Sequence, residues 1–336
     1  MIKTTTAAAP LLQVRGLHKH FPLRSGLLQQ ISGYARAVDG VSFEVQAGQT
    51  LALVGESGCG KTTVGRTVLR LYEKTAGEVL FDGTDIFALS KRQLRALRPQ
   101  MQMIFQDPYS SLSARLPVSE LIGEAVREHH IVGREQYEDY IVQVMEDCGL
   151  PPALRDRYPH QFSGGQRQRI SIARALALQP RFIVCDEPVS ALDVSIQAQI
   201  ITLLQQLQQQ RGLSYLFISH DLAVVEYIAD SVGVMYAGRL VEYAAKQQFF
   251  ARPLHPYSEA LLSAAPQLDA ADRRRRIILS GAPPSAAELP AGCRFHDRCP
   301  RCMPRCAVSE PEFTDAGEGH CVACHLYAAI GEAADE

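Results

Sequence analysis

The residues best placed to do chemistry form the run Gly55-Glu56-Ser57-Gly58-Cys59-Gly60-Lys61-Thr62-Thr63. It fits the pattern G-x-x-x-x-G-K-[ST], whose meaning depends on its context. An apolar stretch, Thr50-Leu51-Ala52-Leu53-Val54, precedes it and reads as a buried parallel strand. Val64, Val68 and Leu71 follow at helical spacing. Between strand and helix, Gly55, Gly58 and Gly60 let the backbone bend, so that successive N–H groups, Ser57 and Cys59 among them, point inward at phosphate oxygens. The helix start adds the positive end of its dipole. Lys61 is expected to reach the β- and γ-phosphates of a nucleoside triphosphate, and the Thr62 hydroxyl, with Thr63 beside it, to ligate Mg²⁺. A second cluster lies in the tail, where Cys293, Cys299, Cys302, Cys306, Cys321 and Cys324 crowd together, while Cys59, Cys148 and Cys185 are scattered. In a reducing compartment such crowding suggests a metal site before disulfides.

A chain of 336 residues predicts one large domain or two ordinary ones. A formal net charge of −2 gives no electrostatic case for nucleic-acid binding. No run of about 18 apolar residues occurs, so no membrane-spanning helix is expected. Residues 1–10 lack the basic-then-apolar profile of a secretory signal, which predicts a cytoplasmic chain.

The elements that must position these residues can be read in order. Residues 11–17 and 41–45 alternate as strands, and residues 23–36, lacking a period, are expected to be a loop. Phe21 or Tyr34 from this region could stack on an adenine ring; an ordinary packed aromatic is the alternative for each. Residues 77–81 and 101–105 read as strands, the second ending at Gln106. Residues 118–149 carry Leu121, Ile122, Ala125, Val126, Ile141, Val144 and Met145 at helical spacing, a helical insertion. Phe162-Ser163-Gly164-Gly165-Gln166 runs into an amphipathic helix to residue 178, and residues 181–187 form an apolar strand ending in Asp186 and Glu187. A helix over 195–210 has a glutamine-rich face expected in solvent, a strand over 213–219 ends at His220, and residues 231–236 and 239–243 form a hairpin about Ala237-Gly238.

In this order, residues 55–63, Gln106, 162–166, Asp186-Glu187, 190–193 and His220 resemble the Walker A, Q-loop, signature, Walker B, D-loop and H-loop of the ATP-binding-cassette (ABC) ATPases. The resemblance implies an α/β fold: an ABC-type P-loop NTPase core with an antiparallel β subdomain, a helical subdomain and a small Cys-rich C-terminal extension. The expected division is an ATPase domain over 11–250, its helical subdomain about 107–178, and the extension over 251–330. Asp186 at a strand end can hold the Mg²⁺ shell, Gln106 can touch both that shell and the attacking water, and Glu187 can polarise the water. His220 could hydrogen-bond a γ-phosphate oxygen. Ser163, Gly164, Gly165 and Gln166 open a second helix N-terminus suited to an anion. The resemblance implies that this end caps the nucleotide of a facing subunit, so that two chains clasp two ATP molecules head to tail. Phe162 stands where the family commonly has Leu, an apolar exchange.

The tail resembles the dipeptide and oligopeptide importer ATPases: Arg252-Pro253-Leu254-His255-Pro256-Tyr257, then Asp272-Arg273-Arg274-Arg275-Arg276, then Gly281-Ala282-Pro283-Pro284, then the cysteines. A 4Fe–4S cluster is associated with that motif, and matching position by position gives Cys293, Cys299, Cys306 and Cys324 as ligands, with Cys302 and Cys321 surplus. Four thiolates also suit a tetrahedral zinc, and a metal-free tail is the third reading. The implied function is the ATP- and Mg²⁺-dependent subunit of a peptide importer, peripheral on the cytoplasmic face of the inner membrane. Its partners would be two membrane permeases, a related ATPase subunit in a heterodimer and, through the complex, an extracytoplasmic substrate-binding protein. No nucleic acid is expected. Importers of nickel, glutathione or sugars are the alternative. A soluble cassette ATPase on DNA or ribosomes fits less well, because residues 106–163 are too short for a long coiled coil. On this reading, removing the chain beyond Gly281 spares the P-loop.

Overall fold

The computed structural model describes residues 9–26, 29–107, 111–264 and 277–327. The run Asp272–Arg276 lies outside the described residues. In chain order the elements that matter for the site begin with β1 (Leu12–Ser25), β2 (Gln30–Val45), β3 (Thr50–Val54), α1 (Lys61–Val68), β4 (Ala76–Phe81), β5 (Thr84–Asp85), α2 (Lys91–Leu97) and β6 (Met101–Ile104). Then come α3 (Val118–Glu128), α4 (Tyr137–Asp147), α5 (Gly164–Leu176), β7 (Phe182–Asp186), α6 (Val194–Arg211) and β8 (Ser214–Ile218). The chain continues with α7 (Leu222–Ile228), β9 (Ser231–Tyr236), β10 (Arg239–Ala245), α8 (Lys246–Ala251), α9 (Pro256–Ala264), β11 (Phe313–Asp315) and β12 (Cys321–Ala323). No helix among the described residues is long and apolar enough to cross a membrane.

The chain forms two compact units, the first made of the chain through Gln46, Leu51–Phe87 and the segment from Ser219 onward. Its antiparallel sheet has the order β2-β1-β4-β5. The loop expected over 23–36 is a correction: β1 and β2 form one long hairpin, paired from Leu12 opposite Val45 to Ser25 opposite Gln30. Its distal half is mostly exposed on both faces, so no apolar alternation marks it, and backbone pairing holds the strands instead. A second ladder runs β11-β12-β10-β9-β3, parallel between β9 and β3 and antiparallel elsewhere. β12 pairs Cys321 with Tyr243 and Val322 with Glu242, so part of the cysteine-bearing tail is a strand of this ladder.

The core of this unit includes Val54, Val234, Tyr236, Phe249, Tyr257 and Phe295, with Cys293 and Cys299 packed against it. Glu242, fully buried in β10, accepts hydrogen bonds from the N–H groups of Leu254 and His255 at 2.8 Å and from His320 Nε2 at 2.7 Å. Three donors offset the cost of burying that carboxylate and tie the tail to the strand. Phe295, beyond Gly281, belongs to the P-loop unit's core, an argument against the expectation that the tail can be cut away there without touching the P-loop.

The second unit comprises Ala47–Thr50 and Ala88–Ile218. Its strands β6, β7 and β8 are parallel, in the order β8-β7-β6, and all five residues of β7 and of β8 are buried. α3 and α4 form the expected helical insertion, burying Leu121, Ile122, Val126, Ile141, Val144 and Met145. In α6, Ile200, Ile201, Leu203, Leu204 and Leu207 face inward, while Gln206, Gln209 and Gln210 are exposed as expected. Gln208 departs from that face, donating to the Gly48 carbonyl at 3.0 Å and to Thr50 Oγ1 at 2.9 Å.

Candidate functional site

The P-loop in the first unit has the form its glycines permit. Gly55, Gly58 and Gly60 adopt φ of 148°, 81° and 110°. A Cβ at Gly55 would meet the Met235 carbonyl oxygen at 2.3 Å, and one at Gly60 the Ala37 carbonyl oxygen at 2.2 Å, so both positions exclude any side chain. Gly60 is also the N-cap of α1 and, as a glycine, brings no capping side chain of its own. Lys61 is buried, and its Nζ donates to the carbonyls of Gly55 at 2.7 Å and Glu56 at 3.0 Å. Burial pushes the Cys59 thiol up, against the pull of the Lys61 charge beside it. Ser57 is exposed and Thr62 and Thr63 are half-buried.

His220 is exposed one residue after Ser219, whose N–H donates to the Leu53 carbonyl at 3.1 Å, and one residue before Asp221, which caps α7. Of the two adenine-stacking candidates, Phe21 packs edge-on against Tyr72 at 5.5 Å between ring centroids, whereas Tyr34 on β2 is exposed. Neither ring was distinguishable from an ordinary aromatic by sequence.

In the second unit, Gln106 Nε2 donates to Glu187 Oε2 at 2.9 Å. Asp186 is buried at the end of β7. Glu187 follows with a φ of 46°, a left-handed conformation that costs a non-glycine residue energy. Its N–H donates to the Ile218 carbonyl at 3.0 Å, which fixes the turn. The second helix N-terminus is α5: Ser163 Oγ accepts from the Gln166 N–H at 3.3 Å, and Gln166 Oε1 accepts from the Ser163 N–H at 3.1 Å, a capping box. A Cβ at Gly164 would lie at ordinary contact distance from Leu192, but one at Gly165 would meet Ile196 Cγ2 at 2.5 Å. The sequence places Gly165 at a helix start expected to suit an anion; close approach to α6 is an independent reason for a glycine there. Asp193 caps α6, accepting from the Ile196 N–H at 3.1 Å and the Ser195 hydroxyl at 2.8 Å, and these bonds hold its carboxyl below the usual range.

The four tail cysteines are near one another. Burial pushes the Cys293 thiol up to about 11, helped by its neighbours Cys306, Cys324 and Cys299. Burial raises Cys324 as well, and its sulfur neighbours are Cys299 and Cys306. Cys321 lies apart on β12, its sulfur 3.7 Å from the Gly319 carbonyl. Cys302 is exposed beside Cys306. Among the described residues, the group of His, Cys, Asp or Glu ligand atoms all within 4.8 Å of one another is His18, His20 and Asp39, not the cysteines. The His18, His20 and Asp39 group is a salt-bridge hub, since Arg294 pairs with Asp39 and Arg239 approaches it at 3.8 Å.

Sequence reading missed Glu56 as a structural residue. Arg298 grips its carboxylate with two bonds, Nη1 to Oε2 at 2.8 Å and Nη2 to Oε1 at 2.9 Å, and the Tyr257 hydroxyl accepts from its N–H at 2.8 Å. The only local signal was a charge inside a glycine-rich loop.

Known proteins share this chain's sequence and fold. The ABC transporter family model matches residues 38–190, and the model described as the oligopeptide/dipeptide transporter C-terminal region matches residues 241–306. The oligopeptide transport ATP-binding protein AppF of Bacillus subtilis is 51% identical over 320 residues, covering 94% of this chain and 97% of that protein. The probable peptide ABC transporter ATP-binding protein y4tS of Sinorhizobium fredii is 50% identical, covering 95% of this chain and 90% of that one. Among solved structures, cbiO1 of Clostridium perfringens, part of the ABC transporter complex cbiONQ, superposes with a TM-score of 0.62 at 25% identity, covering 72% of this chain and 91% of that one. The ATP-binding cassette MJ0796, solved as a dimer with ADP and Pi, gives 0.62 at 24% identity over 70% of this chain and 98% of that one, a likeness of fold. The chain belongs to the ABC transporter ATP-binding proteins, in the branch whose C-terminal region is of the oligopeptide/dipeptide type. Its class is that of ATPases coupled to transmembrane transport.

Proposed function

We propose that this chain hydrolyses ATP to drive the import of di- and oligopeptides, as a peripheral subunit on the cytoplasmic face of the inner membrane. The hydrolytic part is carried by the Gln106–Glu187 contact, which brings an amide 81 residues away in sequence to the carboxylate that follows the buried Asp186. In this reading the amides of the P-loop and Lys61 bind the phosphates, and the positive end of the α1 dipole suits their charge. Thr62, Asp186 and Gln106 would hold Mg²⁺, which when bound neutralises charge developing on the phosphates. Glu187 orients and polarises water, Gln106 positions Glu187, and His220 donates to a γ-phosphate oxygen. Tyr34 is the candidate to stack on adenine. Ser163, Gly164, Gly165 and Gln166 cap the nucleotide of a facing subunit, a related ATPase, so that closure requires two chains.

Residues 11–250 are proposed as the ATPase domain, with 107–178 its helical part and 251–330 its extension. The peptide cargo rests on the relatives named above, over almost the whole chain. Partners in this reading are two membrane permeases and a substrate-binding protein. Cys293, Cys299, Cys306 and Cys324 are electrostatic neighbours and are the proposed ligands of a metal centre, for which four thiolates suit either a 4Fe–4S cluster or a tetrahedral zinc. A 4Fe–4S cluster there would serve as a structural or electron-holding centre. The test is purification from native membranes: permease subunits and a second cassette ATPase should accompany this chain. A chain recovered alone from gently solubilised membranes, and inert toward peptide uptake when deleted, contradicts the proposal.

A further inference from the structure

The P-loop's second residue is held on three sides, two of them from the C-terminal segment. The Glu56 carbonyl accepts from Lys61 Nζ at 3.0 Å and from the Cys59 N–H at 3.3 Å. Its N–H donates to the Tyr257 hydroxyl on α9, and its carboxylate takes the two parallel bonds from Arg298, immediately before Cys299. The Arg298 side chain is 8% exposed and that of Glu56 29%, so the pair is largely shielded from water. Arg298 is fixed in turn: Nη1 reaches the Tyr236 hydroxyl at 3.3 Å, and its guanidinium lies over the Tyr236 ring at 5.8 Å. Tyr236 packs against Tyr257 at 4.7 Å and Phe295 at 5.2 Å between centroids, while the Gly238 N–H donates to the Cys59 carbonyl at 2.9 Å. A planar fork on a carboxylate sets direction as well as charge.

We propose that Arg298 is a positioning residue for nucleotide binding: through Glu56 it fixes the carbonyl that holds the Lys61 ammonium and the Cys59 amide, making the cysteine-bearing segment part of the nucleotide site. The inference rests on the reading that the P-loop binds ATP. Without Arg298, the Glu56 side chain turns to solvent, its peptide rotates more freely, and Lys61 loses a fixed anchor. The loss falls on ground-state nucleotide affinity and on loop order before it falls on the chemical step.

The experiment is a double-mutant cycle on the full chain, reading equilibrium binding of a non-hydrolysable ATP analogue with Mg²⁺. Arg298→Met and Glu56→Gln should each raise the Kd about tenfold, and the double variant should be no weaker than the single ones. Arg298→Lys should fall between wild type and Arg298→Met, since it keeps charge and loses the fork. Amide hydrogen exchange at residues 56–61 should speed up in the variants without a matching change in β9. Glu56→Gln preserves shape and the bond to Tyr257, so it reads the pair even if Arg298→Met fails to fold. An unchanged Kd in Glu56→Gln, or losses that add in the double variant, overturns the proposal. Wild-type chain that binds no analogue overturns instead the reading on which it rests.

Discussion

Gln106 and Glu187 are 81 residues apart in sequence and joined by a 2.9 Å hydrogen bond from amide to carboxylate. The bond orients the carboxylate of a residue whose own backbone is in a left-handed conformation, so both side chain and main chain are set in advance.

Replacing that carboxylate tests its role. Glu187→Gln should lower ATP turnover by about 10²–10⁴-fold while nucleotide binding is retained and paired chains accumulate on ATP addition. Turnover in single-cycle assays and the dimer fraction by light scattering provide the check; undiminished hydrolysis would show that another group activates water.

The motif residues were legible because each is a local pattern: glycines before Lys61, carboxylates at the end of an apolar strand, Ser163 before Gly164 and Gly165. Strands buried on both faces, such as β7 and β8, were legible as apolar runs. The β1–β2 hairpin was not, because its exposed half carries no alternation. Nor was the place of the tail. Arg298 meets Glu56 across 242 residues, and no local pattern encodes that separation.

The tail's place in the core gives a stability prediction. Phe295→Ala should cost about 3–5 kcal/mol by the cavity it leaves among Tyr236, Tyr257 and His255, and truncation after Gly281 should cost more. Denaturant unfolding of full and truncated chains measures this. A truncated chain as stable as the full one would mean that the extension merely rests on the core.

Packing between α5 and α6 gives another. Gly165→Ala should destabilise by about 1–3 kcal/mol, because its methyl meets Ile196 Cγ2, and Ile196→Ala should recover much of the loss. Thermal melts of the single and double variants decide it.

His255 sets a pH dependence. It is fully buried, and that burial holds it down at about 4 against an ordinary 6.5, despite the opposing pull of Glu242. Its Nδ1 accepts from the Tyr257 N–H at 3.0 Å, which requires the unprotonated nitrogen. The unfolded chain therefore takes up a proton first as pH falls. The stability is intact above 6.5 and is lost between 6.5 and 4, by on the order of 2–3 kcal/mol. His255→Asn keeps an acceptor but does not titrate, so its unfolding free energy should fall less steeply over that window; an identical slope would contradict the assignment.

The cysteines can be sorted by substitution. Serine at Cys293, Cys299, Cys306 or Cys324 should abolish metal content in anaerobically purified protein, whereas Cys321→Ser should leave it intact. Visible absorption and elemental analysis for iron and zinc read the result, and colourless protein with stoichiometric zinc would eliminate the cluster.

The central claim, that this chain's hydrolysis of ATP powers peptide entry, is tested most directly by uptake of an isotope-labelled tripeptide into cells whose only copy carries Glu187→Gln. Uptake should fall to the level of cells lacking the chain. Uptake equal to wild type would contradict the account.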